Sequence, residues 1–95
     1  MKLGLIKFKY GEEILCEYQF EDNNLIFVKN AAYMMPIENR QWHLMTWLPY
    51  TNVKNGIKFD KSEILFVTDL SDDMVEYYNK WLEALKNNVR IDLDK

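Results

Sequence analysis

Residues 11–24 decide the fold of this chain, and they read GEEILCEYQFEDNN. Apolar and polar side chains alternate through this stretch with a period of two, which is the spacing of a strand with one buried face. The polar face is nearly all acidic or amide. The apolar residues are Ile14, Cys16, Tyr18 and Phe20. Gly11 before the strand and residues 21–24 after it are typical of turns, so the stretch predicts a strand between two hairpin turns.

Further strands are predicted on both sides of this one. Residues 2–10 alternate in the same way, and residues 25–34 form the next extended stretch, so three strands make an antiparallel meander. Residues 36–40 break the pattern, and residues 41–48 predict a fourth strand that ends at Pro49, which cannot donate to a ladder. After a polar loop, residues 57–59 read as a short extension and residues 63–68 as a fifth strand.

The fourth and fifth strands carry apolar residues on both faces. Trp42 and Leu44 share one face of the fourth strand, while Met45 and Trp47 share the other, and residues 64–67 are apolar throughout. A strand of this kind is covered on both sides. The cover is expected to come from the helix or from a neighbouring subunit.

One amphipathic helix is predicted after the strands. Ser71 is a good N-cap, and the two aspartates that follow it complement the helix dipole. Apolar residues then recur at helical spacing, and Asn87-Asn88 can end the helix. The tail, residues 89–95, is either a frayed end or a short strand.

These elements predict a mainly β chain: a small bent five-stranded antiparallel barrel, SH3-like or OB-like, with one C-terminal helix. With 95 residues it is expected to be a single domain. Residues 1–70 would form the barrel, residues 71–88 the helix packed on it, and residues 89–95 the tail.

Composition excludes several classes of protein. With 48% hydrophobic and 15% aromatic residues the chain is a folded protein and not a disordered one. A net charge of −3 disfavours a surface that attracts nucleic acid all over. No apolar run is long enough for a membrane span or a signal peptide, so a cytoplasmic protein is expected. The single cysteine excludes an internal disulfide.

No catalytic, cofactor or metal site is predicted. His43 is the only histidine and has no acidic or cysteine partner at a metal-ligand spacing. Cys16 lies on an apolar face and reads as a small buried hydrophobe. Glu12 and Glu13 are adjacent, so they point in different directions and do not form an acid–base pair. The protein is therefore not expected to be an enzyme.

Two loops contain side chains that could bind nucleic acid. Asp22, Asn23 and Asn24 present carboxylate and amide groups that can read base edges or ribose. The second loop contains Tyr50, Asn52 and Lys54, and Lys58 follows it. The tyrosine ring could stack on bases, and the two lysines could contact phosphates. The alternative is that both are ordinary polar loops whose residues favour turns.

The spacing from Gly11 to Asp22, with apolar residues between them, resembles the first motif of the Sm/LSm (Hfq-like) family of ring-forming RNA-binding proteins. Residues 11–14 and 45–50 are similar to the small Sm-like proteins of marine bacteriophages. Cys16 replaces a frequent second glycine, Ile26 stands at the position of the family's RNA-contacting asparagine, and the Arg-Gly signature is absent.

The resemblance implies a ring of roughly five to seven subunits in which the fourth and fifth strands pair with those of neighbours. It also implies binding of single-stranded RNA or DNA at the two loops, in the cytoplasm of a host cell if a phage encodes the protein. The alternative is an oligomeric protein-interaction or structural module of phage origin that does not bind nucleic acid. The acidic balance and the missing Arg-Gly favour this alternative.

Overall fold

The computed structural model describes the backbone of residues 1–22, 24–37, 41–49, 51 and 55–93. These described residues contain six strands: β1 (Lys2–Phe8), β2 (Glu13–Phe20), β3 (Leu25–Ile37), β4 (Gln41–Thr46), β5 (Ile57–Asp60) and β6 (Ile64–Thr68). One turn of 3₁₀ helix, Lys61–Glu63, joins β5 to β6, and the helix α1 (Asp72–Leu93) follows the strands. The predicted class, mainly β with one C-terminal helix, is confirmed.

All strand pairs in the sheet are antiparallel. Its order is β4-β3-β2-β1-β6, and β5 pairs with the first part of β3. The meander of the first three strands is therefore confirmed. The prediction of five strands is corrected to six, because the short extension after the polar loop pairs with β3 as a strand of its own.

Strand β3 is long because it bends and serves two partners. Its first four residues pair with β5, whereas Ala32 to its last residue pair with β4. Between the two parts, Asn30 has a φ of 54° and the register with β2 shifts. Asn is one of the few residues that tolerate this left-handed conformation, and a bulge of this kind bends its strand. The Asn30 side chain donates to Glu17 at 3.2 Å, which holds the bend against β2.

The bend curls the sheet into a partly closed barrel. β5 and β6 lie at opposite sides of the sheet, but only the three residues of the 3₁₀ turn separate them, and such a turn rises about 2 Å per residue. The two sides therefore approach each other. No ladder joins β5 to β6 in the described part of the chain, so the barrel is open at this seam.

The curled sheet is buried on both faces. The inner cluster holds the apolar face of β2 together with residues of β1 and β3, and it includes Ile6, Phe8, Ile14, Cys16, Ile26 and Val28. The outer cluster lies under α1, where Leu15, Ala32 and Leu44 pack against Tyr78. Leu15 lies on the otherwise polar face of β2, and it is buried because the helix covers that face.

Helix α1 starts as predicted and ends later. The Ser71 hydroxyl accepts from the backbone N–H of Met74 at 3.3 Å, which is the expected N-cap. The helix continues to Leu93, so the predicted end at Asn87-Asn88 is wrong, and most of the tail is helical instead of extended. Asparagine is only a weak helix breaker, and no proline follows it. No helix in the described residues combines the length and apolar character needed to cross a bilayer.

Candidate functional site

The hairpin between β2 and β3 lies beside the 3₁₀ turn. Asp22 and Asn24 are in this hairpin, and the Asn24 carbonyl accepts from the backbone N–H of Lys61 at 2.7 Å. Lys58 on β5 is opposite Phe27 on β3 and forms an ion pair with Glu21, the residue that follows β2. Three of the predicted site residues, Asp22, Asn24 and Lys58, therefore lie in one region.

The other predicted residues, Asn23, Tyr50, Asn52 and Lys54, lie outside the described residues. Whether the two predicted loops meet is for that reason still a prediction. The part of the candidate site that can be located is the hairpin and the strand that pairs with it.

The ammonium group of Lys58 is already paired with an acidic side chain of the protein. The Lys58 ammonium lies 2.9 Å from a carboxylate oxygen of Glu21, and this hydrogen bond raises the pKa of Lys58. Asp22 adds a smaller attraction. Lys58 therefore stays protonated but would have to leave Glu21 to contact a phosphate, which weakens its predicted role.

Phe20 and Lys61 belong to this region and were not predicted. The Phe20 ring is 49% exposed, and the Lys61 ammonium lies 5.3 Å from its centre. Tyr18 packs edge-on against Phe20 at 5.7 Å. A groove of about 340 Å³ continues from these rings to Lys2 and Met1. An exposed ring beside lysines is the usual stacking platform of single-strand binding proteins.

The position of Phe20 in the sequence could have predicted its exposure. It ends the apolar face of β2 directly before the turn, where the inner cluster no longer covers it. Alternation alone placed it in the core, because alternation reports the face of a residue and not how far along the strand the core extends.

The two end strands of the sheet expose apolar side chains. β4 pairs with β3 only and β6 with β1 only in the described residues, so each keeps one edge without a partner strand. Trp42 and Met45 on β4 are 54% and 42% exposed, and Leu65 and Phe66 on β6 are 58% and 47% exposed. Leu65 is the extra residue of a bulge against β1. The helix covers Leu44, but it leaves these four side chains in solvent.

The cysteine, histidine and paired glutamates that were considered as catalytic residues lie in separate environments. Cys16 is fully buried, as predicted, and burial raises the pKa of its thiol to about 12. Glu13 lies 3.5 Å from Lys7, whereas Glu12 accepts from the indole of Trp47 at 2.8 Å. His43 is exposed on β4. Within the described residues, no three histidine, cysteine or acidic side chains converge on a possible metal position.

No protein-family model matches the sequence, and no curated protein matches it.

Proposed function

We propose that this chain assembles head to tail into a closed Sm-like ring of roughly five to seven subunits, and that the ring binds single-stranded nucleic acid, with RNA as the expected ligand. The observation that carries the proposal is the state of the sheet ends. Among the residues that the structure describes, β4 and β6 each have an edge without a partner strand, and each exposes two large apolar side chains. Such edges pair readily with another chain.

Head-to-tail pairing explains why two different edges are exposed. An edge of β4 that pairs with β6 of the next subunit buries both apolar pairs at once. Repeated around an axis, this contact closes into a ring and leaves no free edge. The Trp42 carbonyl already accepts from the Tyr77 hydroxyl of α1 at 3.2 Å. The helix therefore occupies one end of β4, and the rest of the edge would take the neighbour.

The region around Phe20 supports the nucleic-acid part of the proposal. Its half-exposed ring would stack on a base, while Lys61 and Lys2 would face phosphates and the Asn24 amide would contact base or ribose. Because Glu21 and Asp22 lie close by, we expect modest affinity with a strong dependence on salt. A cytoplasmic setting is part of the same proposal.

The acidic surroundings favour a second candidate, an oligomeric protein-interaction or structural module without nucleic-acid binding. Glu21 is bonded to Lys58, and Asp60 caps the 3₁₀ turn beside Lys61 by accepting from the Ser62 N–H at 2.8 Å. Carboxylates at these positions repel a phosphate backbone. In this second candidate the chain still assembles into a ring, but the ring does not bind nucleic acid.

Two measurements test the proposal and separate the candidates. Light scattering should give one closed oligomer for the unmodified chain, and Phe66→Lys should give monomers, because a charge on an edge strand opposes pairing. Asn79→Lys on the exposed face of α1 changes the net charge equally and should leave the oligomer intact. A monomeric unmodified chain would refute ring formation.

Fluorescence anisotropy with labelled oligo-U, oligo-A and single-stranded DNA tests the ligand. Binding should strengthen as salt is lowered and should weaken in Phe20→Ala. The matched control is Met35→Ala, since Met35 is an exposed apolar residue near the other end of β3, away from the site. No binding at low salt by an intact ring would favour the interaction module.

A further inference from the structure

A small aromatic pocket lies where the end of β1, the segment after β4, and β5 come together. Its volume is about 200 Å³, and its walls are mainly apolar: Phe8, Tyr10, Trp47, Ile57 and Phe59. Drug-sized ligands occupy pockets of roughly 300–1,000 Å³, so this one is suited to a single side chain. None of its residues belongs to the region around Phe20.

The rings surround the pocket from several sides. Phe8 is buried at the centre of the group, with ring centres 6.1 Å from Trp47, 5.3 Å from Phe59 and 6.3 Å from Tyr10. Trp47 and Phe59 are half-buried, while Tyr10 is 72% exposed. Accessible faces of tryptophan and tyrosine attract cations through the ring quadrupole.

Two carboxylates complete the lining, Glu12 and Glu63. The Trp47 indole N–H donates to Glu12 Oε2 at 2.8 Å, and the Tyr10 hydroxyl donates to Glu63 Oε1 at 2.8 Å. Both donors are neutral, so they orient the carboxylates without cancelling their charge. No hydrogen bond within the described residues involves the other oxygen of either carboxylate, which leaves it for a ligand.

No cation of the described residues neutralises this pair of charges. The ion pairs among the described residues involve Glu13, Glu21 and Glu76, and not the two carboxylates of the pocket. Lys7, which is close in sequence to Tyr10, donates instead to the carbonyl of Gly11 at 2.9 Å. The pocket therefore combines aromatic walls with two oriented negative charges, which favours an organic cation and disfavours an anion or a neutral apolar group.

We propose that this pocket binds the side chain of an arginine on a partner polypeptide. A guanidinium is flat and weakly hydrated, stacks on aromatic faces, and carries five N–H donors in one plane. It can therefore lie against Trp47 and Tyr10 while it donates to Glu12 and Glu63 at its edge. A lysine ammonium offers a compact, strongly hydrated charge and no face for stacking.

The probe is a blocked tripeptide, Gly-Arg-Gly, added to the ¹⁵N-labelled protein and followed by NMR. The indole N–H signal of Trp47, assigned by its loss in Trp47→Phe, should shift on titration, while the indole signals of Trp42 and Trp81 stay in place. The same peptide with citrulline, the neutral isostere of arginine, should bind at least about tenfold more weakly. A stationary Trp47 signal, or equal binding of citrulline or lysine peptides, would overturn the proposal.

Charge-only variants locate the site. The double variant Glu12→Gln and Glu63→Gln keeps an acceptor oxygen for each aromatic donor and removes both charges, so arginine-peptide binding should weaken by about tenfold or more. Its matched control, Glu76→Gln with Glu83→Gln, makes the same charge change on the exposed surface of α1 and should bind normally. Equal affinity in the two double variants would refute the assignment. Oligo-U binding should be retained in both, which separates this proposal from the nucleic-acid proposal.

Discussion

Replacement of Tyr78 by phenylalanine tests how the helix fixes the bend of β3. The Tyr78 side chain is 1% exposed, and its hydroxyl donates to the Asn30 carbonyl at 2.6 Å, at the residue with positive φ. Phenylalanine fills the same volume, so no cavity forms, but the Asn30 carbonyl loses its partner in a partly buried site. We expect Tyr78→Phe to lower the free energy of unfolding by about 1–3 kcal/mol. For a domain of this length, each kcal/mol corresponds to about 4–8 °C in Tm.

Urea unfolding followed by tryptophan fluorescence measures this change. The variant should be compared in a Phe66→Lys background, because assembly would otherwise add concentration-dependent stability. Tyr77→Phe is the matched control, since the Tyr77 hydroxyl donates to the Trp42 carbonyl at 3.2 Å in an exposed position, and it should change stability by less than about 0.5 kcal/mol. A Tyr78→Phe variant as stable as its parent, or an equal loss in both variants, would refute the reasoning.

Three further predictions concern stability and binding. Burial raises the pKa of the Cys16 thiol from its ordinary value of 9.0 to about 12, so the buried neutral thiol contributes its full stability below about pH 9 and loses it as pH rises towards 12. Between pH 8 and 9.5 the unmodified chain should lose about 1 kcal/mol more of its free energy of unfolding than Cys16→Ala in urea titrations, and equal losses would contradict this. Gly56 has a φ of 124°, and a Cβ there would overlap the Phe27 ring, so Gly56→Ala should cost about 1–3 kcal/mol, and an unchanged Tm would contradict it. Lys61→Ala should reduce the slope of log affinity for oligo-U against log salt by about 0.7 per subunit, and an unchanged slope would remove Lys61 from the phosphate contacts.

Alternation and helical spacing were enough to predict most of the fold. The period of two in residues 13–20 predicted β2, and the N-cap at Ser71 with the apolar spacing after it predicted α1. Both signals are local, since they depend on which face of one element is buried. The two-faced pattern of residues 42–47 predicted a strand covered on both sides. The helix covers Leu44, whereas Trp42 and Met45 are exposed, so cover by a neighbouring subunit stays a prediction.

The features that the sequence did not reveal depend on contacts between distant segments. The bend at Asn30 requires Glu17 and Tyr78, which lie in two other elements, so no local pattern shows it. The status of residues 57–60 as a strand depends on their pairing with β3. The aromatic pocket draws on β1, β5 and the segment after β4. Of its acidic residues, Glu12 follows the turn glycine Gly11 and Glu63 begins the predicted fifth strand, so neither local pattern indicated a pocket. Tertiary packing, and not local preference, decides all three.

A mixing experiment tests head-to-tail ring formation most directly. Met45→Lys blocks the edge of β4 and Phe66→Lys blocks the edge of β6, and both residues are exposed in the single chain. Each variant alone should be monomeric by native mass spectrometry, because one of its two edges carries a charge. Mixed in equal amounts, they retain one intact edge each and should form a 1:1 heterodimer that grows no further. Homodimers of either variant alone, or a mixture that remains monomeric, would contradict the ring.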